Sequence, residues 1–443
     1  MLRVWPPPPH LPASRARLEC LSLRIAAITR MTTQNAGNEA LSVGLLDFLS
    51  QQSAPTEVRA LDRYPRRLET LTLGRGDPAA AVAQFEATAR QILTWAAPLH
   101  ALPIAPVADA RQVQLNTTAR ELPEGALRAF KRRLGLRRNL ARLGLIGRAD
   151  FQVALNTLNW ADLVVWNPAG EYHPTGDVNQ PYRLLLMVRV AQLLGKKTAV
   201  VNHSLELEND NLEAVVAHVY VKADLITVRD APSLQIARDM GVDAGRVAEA
   251  PDLVFLSAHP GRTRPAPDAP IGLSINGLQA LAGHDEWPAF MEGLVALRRP
   301  LIFVSNAMNH DMAFARSLAA RWPIEILDNQ PTHTELREIY GRCALLISSR
   351  LHASILAIGA GTPVVSIEPQ VFKLTAIFDQ LDYPIATENL KTLHWADRTL
   401  AKVCAALAQR DQIAADGRAG IERQVGRVRA AYAPLFAPSA ASG

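Results

Sequence analysis

Between Leu23 and Glu368, short apolar runs alternate with segments of helix length, and this rhythm constrains the chain more than any other feature. Leu23–Thr29 (LRIAAIT), residues 57–61, 162–166 and 198–202, Leu225–Val228 and residues 247–248 have the length and apolar content of strands buried on both faces. The spacers, among them residues 40–49, 180–194, 211–222 and 231–240, have the length of helices. Strands joined through a helix lie parallel, and a parallel sheet must be covered on both faces. A proline-rich stretch over residues 258–270 (AHPGRTRPAPDAP) breaks the rhythm, which restarts at 271–275, 301–305, 324–328, 344–348 and 364–368. The expected architecture is α/β: two Rossmann-like, doubly wound domains facing across a cleft. The first spans residues 22–257, the hinge 258–270 and the second 271–395. Helices over 396–443 are expected to pack back across the hinge and end in a disordered tail.

A chain of 443 residues that is 49% hydrophobic and 20% charged can bury two such cores and lies far from the disordered class. Residues 1–21 carry Pro6 to Pro9 and no apolar core of a secretory signal, so they read as a disordered or mis-started leader. No apolar run approaches the roughly 18 residues of a membrane span. Cys20, Cys343 and Cys404 are too scattered for a disulfide framework or a thiolate metal site, which points to a reducing cytoplasm. Of 47 basic residues only seven are lysine, and the net charge of +5 is mild. It suits an anionic substrate and gives no reason to expect nucleic acid. A basic segment over residues 127–143 (LRAFKRRLGLRRNLARL) has two readings: peripheral contact with anionic lipid or glycan at the inner face of the membrane, or a solvated face.

The polar residues that follow the strands are the candidates for chemistry, because ligands of open α/β sheets bind at the carboxyl ends of the strands. Arg350-Leu351-His352 follows the fourth strand of the second half and opens a helix. Arginine holds a carboxylate or phosphate with paired hydrogen bonds, a helix amino terminus adds donors, and histidine moves a proton near neutral pH. A salt bridge to the other domain and a helix cap would explain the same residues. Arg229 holds the equivalent place in the first half, where Asp230 and Ser233 read as helix caps. Lys373 lies in the loop after residues 364–368. Glu171 and His173, after residues 162–166, and Asn35, Gly37, Asn38 and Glu39, after the first strand, face the same cleft, while Asp252 suits a hydrogen bond at the hinge. There is no G-x-G-x-x-G fingerprint, phosphate-binding P-loop, G-x-S-x-G elbow or metal-ligand spacing of histidines. No cofactor and no metal-ligating residues are therefore expected, and the need for a divalent metal is left open.

Four patterns in order resemble the polysaccharide pyruvyl transferase family: TQNAGNEAL, ADLITVRDAPSLQIARDMGV, APDLVFL, and SSRLHASILAIGAGTPVVSIEP with Lys373 shortly after it. The resemblance implies a fold like that of GT-B glycosyltransferases and the transfer of pyruvate from phosphoenolpyruvate, a co-substrate, to a sugar diol of a glycan or lipid-linked precursor. By the same resemblance Arg229, Arg350, Leu351 and His352 engage phosphoenolpyruvate, with Lys373 at its phosphate, and the second domain is the donor side. Asn35, Glu171 and His173 then fall to the acceptor side. Asn167-Pro168-Ala169-Gly170 stands where many members have a G-G-G run, and Lys373 is about one residue off its usual spacing. A nucleotide-sugar glycosyltransferase and a non-catalytic glycan-binding descendant are the alternative readings.

Overall fold

The computed structural model describes residues 22–33, 35–52, 55–95, 114–115, 148–172, 176–258, 265–266, 268–280, 285–369 and 373–436. Six parallel strands form the first sheet: β1 Leu23–Thr29, β2 Thr56–Asp62, β3 Leu163–Trp166, β4 Lys197–His203, β5 Leu225–Val228 and β6 Val247–Glu249, in the order β2-β1-β3-β4-β5-β6. The second sheet contains β7 Ile271–Ser274, β8 Leu301–Phe303, β9 Ile324–Ile326, β10 Leu345–Ser348, β11 Val364–Glu368 and β12 Glu388–Asn389, in the order β9-β8-β7-β10-β11-β12. Strand order reverses between β1 and β3 in one sheet and between β7 and β10 in the other. These two switch points are where the motif residues after β1, β3 and β10 emerge.

Local signals set the helix boundaries. The first helix, Ala36–Ser50, begins four residues ahead of its apolar period, because the Asn35 side chain accepts from the Gly37 and Asn38 N–H groups and caps it. A helix over Pro78–Thr94, in a stretch where no periodicity stood out, is capped by Asp77 with proline at its first position. The basic segment 127–143, the leader 1–21, the tail from residue 437, most of the hinge and His173 lie outside the described residues. Among the described residues no helix is long and apolar enough to cross a membrane.

One apolar cluster joins the halves. Leu41, Leu45 and Phe255 of the first pack with Ile355, Leu356 and Phe378 of the second, all nearly or fully buried. The long helix Arg410–Tyr432 returns to the first sheet, where buried Tyr432 accepts a hydrogen bond from Thr227 at 3.1 Å and meets Phe48 edge-on. Its apolar face thus ties the end of the chain to the first domain.

Candidate active site

The carboxyl ends of the two sheets meet at a crevice of about 20 Å³, walled by Ser204, Arg229 and Asp230 on one side and Leu351, Lys373 and Ile377 on the other. That is room for about one water molecule. Three contacts cross between the halves. Glu39 accepts from the His333 backbone N–H at 2.7 Å, the Ala36 N–H donates to the Asn306 carbonyl at 3.0 Å, and Lys373 Nζ lies 2.5 Å from Glu206 Oε1.

Asp252 is the centre of the constellation. Fully buried, it accepts from the Arg229 guanidinium at 2.8 Å and from the Val254 N–H at 2.9 Å, and His352 Nε2 of the other domain stands 3.7 Å from its Oδ2. Burial by itself would raise this carboxyl. The imidazole of His352, the guanidinium of Arg229 and the Val254 N–H outweigh burial and hold it well below the carboxylate range. A chain of buried hydrogen bonds fixes its loop: one between the Thr29 and Ser42 hydroxyls, then Asn167 to Thr29, Asn202 to Asn167, and the Leu253 N–H to Asn202 at 2.8 Å. Asn167 is thereby a structural link, while Ala169 in the same loop adopts a left-handed φ of 53° and presents its carbonyl to Arg229 at 3.3 Å. A glycine would take that backbone conformation without the penalty alanine pays.

Arg350 is the residue before the helix Leu351–Gly359, and its guanidinium is paired with Asp311, which is fully buried and also accepts from Ser305 at 2.7 Å. Arg350 Nε and His352 Nε2 are buried without a hydrogen-bond partner. Gly37, at the start of the first helix, lies against the His352 ring so closely that a Cβ there would come within 2.7 Å of its Cγ. Behind Arg229, fully buried His203 bonds to the Tyr220 hydroxyl at 2.8 Å, and burial, with the charge of Arg229 adding, pushes its pKa down to about 3.

The structure therefore brings Arg229, Leu351 and Lys373 to one crevice and joins His352 to Arg229 through Asp252, while Arg350 is paired with Asp311. Asn35 and Glu171 are engaged within the first domain. Asn35 is a helix cap at the domain contact. Glu171 is nearly buried, held by Arg30 Nε at 2.8 Å and by Gln180, on the wall of a separate cavity of about 190 Å³ in the first domain. Asp230 caps its helix through the Ser233 N–H. Sequence reasoning gave Asp252 only a hydrogen bond at the hinge and passed over Asp311 and Glu206, the other carboxylates that partner the cations. Asp252 carried a signal, its place in the APDLVFL pattern. Asp311 and Glu206 meet their partners only through the fold.

A family model described as polysaccharide pyruvyl transferase matches residues 35–370, most of the chain. No curated protein matches the sequence. Among solved structures, Anabaena Alr3699/HepE in complex with UDP is 11% identical with a TM-score of 0.51, covering 93% of this chain and 99% of that one. An α,α-trehalose-phosphate synthase (UDP-forming) from Burkholderia vietnamiensis is 12% identical with a TM-score of 0.52, covering 95% and 98%. At these identities the likeness is one of fold, the GT-B-like pair of α/β domains.

Proposed function

This chain belongs to the polysaccharide pyruvyl transferase family, and from that premise we propose that it transfers pyruvate from phosphoenolpyruvate to two hydroxyls of a glycan, forming a cyclic ketal and releasing phosphate. One observation carries the reading: Arg229 and Lys373 wall the crevice between the sheets, His352 reaches Asp252, the partner of Arg229, and the Nε of Arg350, next in sequence to crevice-lining Leu351, is buried and unpartnered. A compact, multiply charged anion answers those donors. Arginine stays charged at any working pH and can hold the carboxylate of an enol ether without acting as a base toward it. Asp252 and Asp311 balance the two guanidinium charges in the free protein and fix their forks in place, so little reorganisation accompanies binding.

The chemistry follows from the donor. Protonation of C3 leaves positive character at C2, one sugar hydroxyl adds there, and a second displaces phosphate. His352, whose Nε2 stands 3.7 Å from Asp252, is suited to one of these proton transfers.

Calorimetric titration with phosphoenolpyruvate tests the reading. The protein is expected to bind it, and His352→Ala to keep most of that affinity while turnover falls about 100-fold. Failure of the wild-type protein to bind phosphoenolpyruvate, with heat released by a uridine or guanosine diphosphate instead, would turn the assignment toward a glycosyltransferase.

A further inference from the structure

Glu206 joins two spaces. Through its contact with Lys373 it borders the crevice, and it also lines the cavity of about 190 Å³ on the first domain together with Glu171, Tyr172, Asp177 and Pro181. That cavity has the bulk of a monosaccharide and offers an aromatic wall and carboxylate acceptors, the groups that sugar hydroxyls and ring faces use. Both partners of the Lys373–Glu206 pair keep some exposure, 38% for the lysine side chain and 26% for the glutamate. An ion pair so placed contributes about 0 to 1 kcal/mol, and a doubly charged phosphate competes well for the same ammonium.

Resting on the pyruvyl-transfer reading, we propose that Glu206 is a catalytic base of that reaction, occupied by Lys373 in the free protein and released when donor phosphate takes the lysine. The step it serves is ketal closure. The carbon that was C2 of the donor already carries one sugar oxygen, the carboxylate, a methyl group and phosphate. The second sugar hydroxyl gives its proton to Glu206, its oxygen bonds to that carbon, and the carbon–oxygen bond to phosphate breaks with its electron pair going to phosphate beside Lys373. Glu206 then passes the proton to the departing phosphate. The proton lost by the hydroxyl is the one phosphate gains, and the carboxylate is restored to its lysine. A residue that is only a clamp between domains would need no cavity on its other side.

The two roles predict opposite signs for one variant. Glu206→Gln preserves size and frees Lys373, so phosphoenolpyruvate affinity by calorimetry is expected to rise about twofold to fivefold. Turnover with methyl hexopyranosides bearing free 4- and 6-hydroxyls is expected to fall about 100-fold. Mass spectrometry of the stalled reaction should show an acceptor adduct that still contains phosphorus, and Glu206→Asp should recover part of the turnover. Weaker or unchanged donor affinity in Glu206→Gln, or turnover within about threefold of wild type, overturns the assignment of Glu206 alone. Absence of phosphoenolpyruvate binding by the wild-type protein overturns the underlying reading and this proposal with it.

Discussion

Removing Arg229 should expose how strongly the centre of the site depends on charge balance. Asp252 has no solvent exposure, and Arg229 donates to it at 2.8 Å while keeping only weak contacts to Ala169 and Ser204 at 3.3 and 3.4 Å. Arg229→Ala therefore strands a buried carboxylate, whose other partners are the Val254 N–H and an imidazole 3.7 Å away. Breaking a buried pair from one side costs about 3 to 5 kcal/mol. Asp252→Asn keeps the shape and strands a guanidinium with some access to water, for about 1 to 3 kcal/mol. The double variant has no orphan charge, so its cost should fall short of the sum by about 1.5 to 3 kcal/mol. Urea unfolding of the four proteins at pH 7 measures that coupling. In Arg229→Ala the carboxyl keeps His352 and the Val254 N–H against burial but loses the guanidinium, and it takes up a proton more readily as pH falls than in the wild-type protein. The gap between them should narrow toward pH 4. Costs that add to within about 0.5 kcal/mol would refute the reasoning.

Gly37→Ala would gain about 0.8 kcal/mol of helix propensity but drive a methyl into the His352 ring, where overpacking costs about 1 to 3 kcal/mol. Net destabilisation in thermal unfolding together with lower turnover is expected, and a stabilised, fully active variant would contradict the contact. Arg350→Ala should cost folding stability by about 3 to 5 kcal/mol as well as donor binding, because it leaves fully buried Asp311 unpaired, while Arg350→Lys should restore stability better than affinity. Equal recovery of both in paired urea and calorimetric measurements would argue against a forked contact to the donor. His203 is held neutral to about pH 3 in the fold, so the unfolded chain binds a proton first as pH drops below about 6.5, and stability should fall by about 1.4 kcal/mol per pH unit from this group. His203→Gln should flatten the profile between pH 6.5 and pH 4, and an unchanged slope would locate the acid sensitivity elsewhere.

Strands were legible wherever the chain is buried on both faces, because an uninterrupted run such as LITV or VVSIE has little other use in a protein of this composition. Arg229 and the Arg350-Leu351-His352 trio could be found for a related reason: charges directly after a parallel strand sit at a predictable edge of a predictable sheet. The helix Pro78–Thr94 went unread although its Asp77-Pro78 start is a capping signal, since alanines dilute its apolar period. Asp311, Glu206 and Arg30 had no local pattern to mark them. They are lone charges on different elements, and their meaning depends on a partner dozens to hundreds of residues away. Asn35 shows the converse, a conspicuous motif residue whose side chain is spent on its own helix and whose neighbours Ala36 and Glu39 hold the domains together.

The central claim is pyruvyl transfer from phosphoenolpyruvate, and the most direct measurement is phosphate release from that donor with and without a glycan acceptor, followed by mass spectrometry of the glycan. The account predicts phosphate release that depends on the acceptor, matched one for one by glycan carrying pyruvate as a ketal, and the loss of both in the Arg229→Ala and Arg350→Ala variants. A glycan left unmodified by phosphoenolpyruvate yet extended by a nucleotide sugar under the same conditions would contradict it.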